Sequence, residues 1–144
     1  MVLCAEDVTE VTREVLINDG WIVKSVNYLS TPYKNSAFFT KLLIWTLKEY
    51  KKIFYIDSDA IVLRNVDHVF RCGNFCAVYR HSDHFNAGVL VVKPSLAVFN
   101  DMKSQLGILH SHDGGDQGFL NTYFERLKFA TIFSEKESQP SALL

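Results

Sequence analysis

Residues 53–59 read Ile-Phe-Tyr-Ile-Asp-Ser-Asp, and this stretch decides the fold class. Its four apolar residues predict a short strand, which delivers Asp57 and Asp59, on either side of Ser58, at its carboxyl end. A turn there would bring the two carboxylates together, and a divalent cation such as Mg²⁺ or Mn²⁺ would relieve their repulsion. The alternative interpretation is a solvated acidic turn that caps the next element.

Strands and helices alternate on both sides of this stretch. Short apolar runs predict strands, and these runs lie at 2–5, 21–26, 53–56, 75–79 and 88–92, with a further extended piece at 61–63. Apolar residues at helical spacing predict helices, which start after Thr9, at 39, after Ser95 and at 117. Such alternation is typical of an α/β fold whose sheet is mostly parallel and is flanked by helices. Ligands of such sheets bind beyond the carboxyl ends of the strands.

The composition excludes several classes of protein. The chain has 144 residues, of which 48% are hydrophobic and 22% are charged, which is not the composition of a disordered tail. Fifteen Lys and Arg against 16 Asp and Glu give a net charge of −1, so we expect no nucleic-acid partner. No apolar run approaches the roughly 20 residues of a membrane span, and the first residues do not read as a secretory signal.

Three cysteines are too few for a disulfide scaffold. Cys4 stands alone, and Cys72 and Cys76 have C-x3-C spacing. We favour ordinary thiols for all three, with a local disulfide between Cys72 and Cys76 as the alternative. A zinc site would need two further ligands that nothing nearby supplies in regular order. The compartment therefore stays open at this point.

A second candidate site is the glycine-rich stretch at 114–118, which reads Gly-Gly-Asp-Gln-Gly and follows Asp113. It precedes a predicted helix, so backbone N–H groups and the carboxylate of Asp116, next to Gln117, could approach a ligand closely. A glycine-rich loop with an acidic N-cap is the alternative, and for this stretch alone it is the preferred interpretation.

Two further candidates lie before strands or helices. Asn86, Ala87 and Gly88 lead into the apolar run at 89–92, and taken alone they are typical of a tight turn. Lys41 stands near the start of the predicted helix at 39–50, where a cation could reach a diphosphate. The alternative for Lys41 is a solvated lysine, which most such residues are.

In their order and spacing these segments resemble glycosyltransferase family 8, the glycogenin-like retaining transferases. The segments that carry the resemblance are 39–42 (FTKL), 56–59 (IDSD), 86–89 (NAGV) and 114–121 (GGDQGFLN). The match runs from about residue 2 to residue 123. Segments at 70–77, 81–82, 94–95 and 99–102 are similar to the plant branch of glucuronosyltransferases that modify inositol phosphorylceramide.

The resemblance implies a Rossmann-like nucleotide-diphospho-sugar transferase fold of the A type and a UDP-sugar donor. It implies Mn²⁺, or Mg²⁺, held by Asp57 and Asp59, and an acceptor that is a glycan, a glycolipid or a protein. It also implies roles for residues that face the donor or the acceptor. Donor contacts are expected at Lys41, Ser58, Asn86, Ala87, Gly88 and Asp113, and catalytic roles at Asp116 and Gln117. Many members of the family have Ser at the position of Ala87.

The chain also departs from the family pattern. Family members have a further strand and helix upstream, and a metal-binding His in an H-x-x-G-x-x-K-P run downstream, which no histidine here matches. We therefore expect residues 1–133 to be a partial transferase domain, truncated at both ends, and residues 134–144 to be an irregular tail. We expect weak or no transferase activity from this chain alone. The plant branch favours the Golgi lumen, and glycogenin itself favours the cytoplasm.

Two other functions compete with this interpretation. A phosphatase of the haloacid-dehalogenase type also places D-x-D after an apolar strand, with Asp57 as nucleophile and Asp59 as acid or base. In that class the motif normally opens the domain, whereas here two strands and two helices are predicted before it. The other alternative is a catalytically incompetent module that binds a nucleotide or a metal.

Overall fold

The computed structural model describes residues 1–33, 36–79 and 84–133. The predicted tail at 134–144 lies outside the described residues. The described residues contain five strands, three α-helices and three 3-10 helices. In chain order they are β1 (Val2–Cys4), α1 (Glu10–Asn18), β2 (Val23–Ser25), a 3-10 helix (Ser36–Thr46), β3 (Ile53–Ile56), a 3-10 helix (Asp67–Arg71), β4 (Phe75–Tyr79), β5 (Phe85–Val92), α2 (Leu96–Gln105), α3 (Asp116–Tyr123) and a 3-10 helix (Glu125–Phe129).

The strands form two sheets of different kinds. β1 and β2 are parallel and are joined through α1, whereas β3, β5 and β4 form an antiparallel sheet in that order. The α/β class is therefore confirmed, but the expectation of a mostly parallel sheet is wrong. The connection from β4 to β5 is short, and such a connection joins antiparallel neighbours, because a parallel pair needs a crossover of a dozen or more residues. Within the described residues the extended piece expected at 61–63 forms no strand.

The first helix begins and ends where the sequence indicates, but it buries an unexpected side chain. Thr9 is the N-cap of α1 and accepts a hydrogen bond from the backbone N–H of Thr12, and Gly20 has a positive φ after the last turn. The apolar residues Val11 and Val15 are exposed, whereas Arg13 is buried. The guanidinium of Arg13 donates to backbone carbonyls near the start of α1 and to a side chain of β2, so it ties this helix to its sheet.

The helix expected over 39–50 is a 3-10 helix that ends at Thr46. Phe39, Leu42 and Trp45 are buried, and they are spaced three residues apart. A 3-10 helix has three residues per turn, so that spacing places all three on one face. The core that they enter also contains Phe85 and other apolar side chains of β5, α2 and α3.

A disulfide links Cys72 to Cys76, at the start of β4. The expectation of ordinary thiols is thus wrong for this pair, whereas Cys4 is a free, buried thiol. The disulfide closes the short connection between the second 3-10 helix and β4, which pairs with β5. Among the described helices, none is long and apolar enough to cross a membrane.

Candidate active site

Lys41 is the centre of the candidate site. Its side chain is 10% exposed, and its ammonium lies 2.7 Å from Oδ2 of Asp116 and 3.2 Å from Oδ1 of Asp57. It also donates to the carbonyl of Ala87 at 3.2 Å. One cation therefore joins the first 3-10 helix to β3, β5 and α3. The alternative of a solvated lysine is wrong, and three of the sequence-predicted segments meet at this group.

Asp116 begins α3 and is buried. Burial raises the pKa of Asp116 above its ordinary value, and the nearby Lys41 acts in the opposite direction and lowers it. Gly115 is the N-cap residue of α3, and the carboxylate of Asp113 accepts from the backbone N–H of Gly118 in the first turn. The acidic capping of the alternative interpretation is therefore supplied by Asp113 and not by Asp116. The carboxylate of Asp116 is instead directed at the Lys41 ammonium.

Asp113 has a different environment from Asp116. Its Oδ1 accepts hydrogen bonds from the backbone N–H groups of Gly115 and Gly118 and from the hydroxyl of Ser111. Burial alone would raise the pKa of Asp113, but these three donors together outweigh it and lower the pKa below the ordinary value. Asp113 therefore holds the glycine-rich loop in place as a carboxylate. Its expected contact with the donor stays a prediction.

The aspartates at the end of β3 lie in a turn that is open to solvent. The backbone N–H of Ala60 bonds the carbonyl of Asp57, and Ser58 and Asp59 are exposed. Asp57 is half-buried, and the hydroxyl of Tyr55 donates to its Oδ1 at 2.6 Å. In the part of the chain that the structure describes, no group of three or more His, Cys, Asp or Glu side chains is placed to hold a metal ion.

The chemistry of the site fits a divalent cation that completes its shell with other ligands. Lys41 carries one positive charge and contacts two carboxylates, those of Asp57 and Asp116, so it does not neutralise both. Gly88 also leaves space at the carboxylate, because a Cβ at this position would lie 2.8 Å from Oδ2 of Asp57. Mg²⁺ and Mn²⁺ commonly take one or two protein carboxylates together with water and phosphate oxygens. Binding by Asp57 and Asp59 nevertheless stays a prediction.

The residues expected to form a turn before a strand lie within β5. Asn86, Ala87 and Gly88 belong to this strand, which begins at Phe85. Along β4, Ala77 pairs with Leu90 and the next residue, Val78, pairs with Asn86, so three residues of β5 have no partner there. Such a bulge redirects backbone and side chains, and bulges are common beside active sites. The turn interpretation is therefore wrong.

Side chains take up the backbone groups that the bulge releases. Oε1 of Gln117 accepts from the backbone N–H of Ala87 at 3.2 Å, and Oδ1 of Asn86 accepts from that of Gly88 at 2.7 Å. On the other edge of β5, the backbone N–H of Asp57 bonds the carbonyl of Gly88 at 2.9 Å. The sequence motifs at 56–59 and 86–89 are thus hydrogen-bonded neighbours.

Sequence reasoning gave no role to two residues that shape this site. The buried amide of Asn121 accepts from the backbone N–H of Phe85 and donates to its carbonyl, both at 2.8 Å, which fixes α3 against β5. Tyr55 contacts the Asp57 carboxylate. The sequence carried a signal for Tyr55: it lies two residues before Asp57, and in extended chain residues two apart point to the same side. For Asn121 no local signal exists, since its partner lies 36 residues away.

Comparison with known proteins shows relatives along most of the chain. It is 40% identical over 136 residues, 91% of its length, to inositol phosphorylceramide glucuronosyltransferase 1 of Arabidopsis thaliana. It is 32% identical over 130 residues, 86% of its length, to UDP-glucuronate:xylan alpha-glucuronosyltransferase 2 of the same plant. The chain is a homologue of plant glucuronosyltransferases. The resemblance to glycosyltransferase family 8 seen in its motifs is thereby confirmed.

The match covers only part of the length of these relatives. The aligned region is 25% of the first of these plant glucuronosyltransferases and 22% of the second, so the chain spans about a quarter of their length. No model of a protein family matches the chain. The homology supports a glycosyltransferase, and the candidate site residues from Lys41 to Gln117 lie within the described residues, whereas the segment at 81–82 lies outside them.

Proposed function

We propose that the chain forms the donor-binding part of a retaining glycosyltransferase that transfers glucuronate from UDP-glucuronate to an acceptor. The observation that carries this proposal is the meeting of Lys41, Asp57 and Asp116 at one point, in a homologue of glucuronosyltransferases. We further propose that the complete enzyme has the Rossmann-like A-type fold, to which the β1-α1-β2 unit contributes a parallel pair.

Asp57 and Asp59 would hold Mn²⁺ or Mg²⁺, with Gly88 leaving room for the carboxylate. A cation held there would stabilise the negative charge that develops on the departing UDP. Lys41 supplies a second positive charge next to the same group, and it is held there by its two carboxylates. Ser58 lies in the same turn, open to solvent, where it can contact the donor.

The sugar would lie over the bulge of β5. Asn86, Ala87 and Gly88 provide its floor, and Gln117 is fixed beside them by its bond to the strand. A transition state with positive charge at the anomeric carbon is stabilised by a carboxylate on the same face. Asp116 is that carboxylate in our proposal, because its Oδ2 lies 2.7 Å from the Lys41 ammonium, which favours the ionised form although burial raises the pKa of Asp116 overall.

The names of the relatives also support a class of acceptor and a compartment. One relative is named for inositol phosphorylceramide, a lipid with an inositol headgroup, and another for xylan, a glycan, so the acceptor is proposed to be a hydroxyl group of a glycan or of a lipid headgroup. The disulfide between Cys72 and Cys76 favours an oxidising compartment, since disulfides rarely persist in the cytosol. We therefore propose the Golgi lumen.

Calorimetric titration of the chain with UDP-glucuronate, with and without Mn²⁺, tests the proposal. We expect binding that requires Mn²⁺ and that weakens at least about tenfold in Asp57→Asn and in Asp59→Asn. Asp19→Asn is the matched control, because it makes the same change at an exposed residue after α1. Binding without Mn²⁺, or equal binding by all variants, would contradict the proposal. A beryllofluoride adduct on Asp57 would instead indicate a phosphatase.

A further inference from the structure

Tyr55 and Asp57 form a hydrogen-bonded pair at the carboxyl end of β3. Tyr55 lies within β3, and Asp57 follows directly after the end of the strand at Ile56. The hydroxyl of Tyr55 donates to Oδ1 of Asp57 at 2.6 Å, and the ammonium of Lys41 lies 5.3 Å from the centre of the Tyr55 ring. The tyrosine thus contacts both members of the ion pair at the end of the strand.

The two oxygens of the Asp57 carboxylate have different surroundings. Oδ1 receives the Tyr55 hydroxyl at 2.6 Å and the Lys41 ammonium at 3.2 Å. Oδ2 lies over Gly88, where even a single added carbon would come within 2.8 Å of it. The donors on this carboxylate are therefore gathered on Oδ1, and the glycine keeps the space at Oδ2 open.

Lys41 alone would hold this orientation poorly. Its ammonium lies closer to Asp116, at 2.7 Å, than to Asp57, at 3.2 Å, so its attraction is shared and favours the other carboxylate. A tyrosine hydroxyl stands on a rigid ring with few torsions, whereas a lysine has a long flexible stem. The shorter and more directional of the two contacts on Oδ1 is thus the one from Tyr55.

We propose that Tyr55 is a positioning residue: it holds Asp57 by Oδ1, so that Oδ2 is presented to the divalent cation of the donor complex. This inference rests on the proposed function, because it needs a cation at Asp57. Hydrogen bonds to the ligands of a metal orient those ligands, and their removal weakens metal binding about 10- to 100-fold.

The test is Tyr55→Phe, which removes the hydroxyl and keeps the ring beside Lys41. Tyr123→Phe is a matched control, because the Tyr123 hydroxyl donates to Oδ2 of Asp101 at the same distance, 2.6 Å, away from this site. The dissociation constant of Mn²⁺, measured in the presence of UDP by the electron paramagnetic resonance signal of free Mn²⁺, should rise about tenfold or more in Tyr55→Phe. It should not change in Tyr123→Phe.

A second measurement separates positioning from a general loss of structure. In the background of Asp57→Asn, Tyr55→Phe should cause no further loss of Mn²⁺ affinity, because its effect passes through Asp57. Thermal melts establish that each variant is folded at the temperature of the titration. Unchanged Mn²⁺ affinity in Tyr55→Phe, or an equal additional loss in the double variant, would overturn the positioning role alone. Absence of Mn²⁺ binding by the unaltered chain would overturn the proposed function as well.

Discussion

Replacing Lys41 with methionine is the most informative single perturbation of this molecule. Methionine keeps most of the length and volume of the lysine stem, so the change removes the positive charge and little packing. Asp116 would then be a buried carboxylate without its cation, and Asp57 would keep the bond from Tyr55. The variant therefore isolates the contribution of the charge to folding.

The expected loss of stability follows from the burial of each partner. Removing one member of a buried ion pair costs about 3–5 kcal/mol. Lys41 and Asp116 are each 10% exposed at the side chain, so that range applies to them, whereas Asp57 is 39% exposed and its pairing adds little. Because Asp116 can take up a proton, the loss lies near the lower end, at about 3 kcal/mol. With an m value of about 2 kcal/mol per molar urea, the midpoint falls by about 1.5 M.

The loss should also depend on pH in a defined direction. Without Lys41 the pKa of Asp116 rises further, since burial continues to raise it and nothing comparable lowers it. A folded state with a raised carboxyl pKa binds its proton more tightly than the unfolded state does. The penalty is therefore absent below about pH 4, the ordinary pKa of Asp, and it grows as the pH rises toward the folded-state pKa.

Urea unfolding followed by the fluorescence of the buried Trp45 measures this effect. Lys48→Met serves as control, because Lys48 is exposed two residues beyond the end of the first 3-10 helix. We expect Lys41→Met to lose much more stability than the control at neutral pH, and to lose less at about pH 4.5. Equal stability of the two variants, or a loss that does not change between the two pH values, would refute the reasoning.

Three other substitutions have equally definite consequences. Gly88→Ala places a carbon 2.8 Å from Oδ2 of Asp57, so it should weaken Mn²⁺-dependent binding of UDP-glucuronate in calorimetry. Asn121→Ala leaves both backbone groups of Phe85 without their partner, which should cost about 2–4 kcal/mol in urea unfolding. Cys72→Ser opens a short disulfide loop, and the chain-entropy model expects a loss of about 2 kcal/mol.

Each of these three changes has its own control. Gly73→Ala adds a methyl group where nothing lies within 4 Å, so a similar loss of binding there would contradict the steric argument. Asn100→Ala removes an amide on the exposed side of α2, and it should leave stability nearly unchanged. Dithiothreitol should lower the stability of the unaltered chain and have no further effect on Cys72→Ser. A variant that still responds to the reductant would place the stabilising bond elsewhere.

Local signals in the sequence predict much of the fold. The bounds of β3 and β4 agree with the apolar runs at 53–56 and 75–79, and Thr9 and Ser95 cap the helices expected after them. The partners of the strands were not predictable in this way. Apolar runs of the same length occur in parallel and antiparallel sheets, and the direction of β5 depends on which strands it contacts over long range.

The residues of the candidate site were predicted from the sequence, but the contacts between them were not. The motifs identify the carboxylates and Lys41, but the contact between Lys41 and Asp116 joins positions 75 residues apart, and no pattern in one sequence encodes it. The strand position of Asn86–Gly88 was missed for a related reason. Asn and Gly favour turns, and here the bulge of β5 and the side chains of Gln117 and Asn86 outweigh that preference.

The bulge of β5 makes amide hydrogen exchange in this strand sensitive to the positions of two neighbouring side chains. Where β5 is paired, amide hydrogens exchange with solvent only when strands separate. The amides of Ala87 and Gly88 are instead bonded to Oε1 of Gln117 and Oδ1 of Asn86. A ligand that draws either side chain away would release one amide while the sheet stays closed. Hydrogen exchange at two adjacent residues can therefore distinguish movement of Gln117 from movement of Asn86.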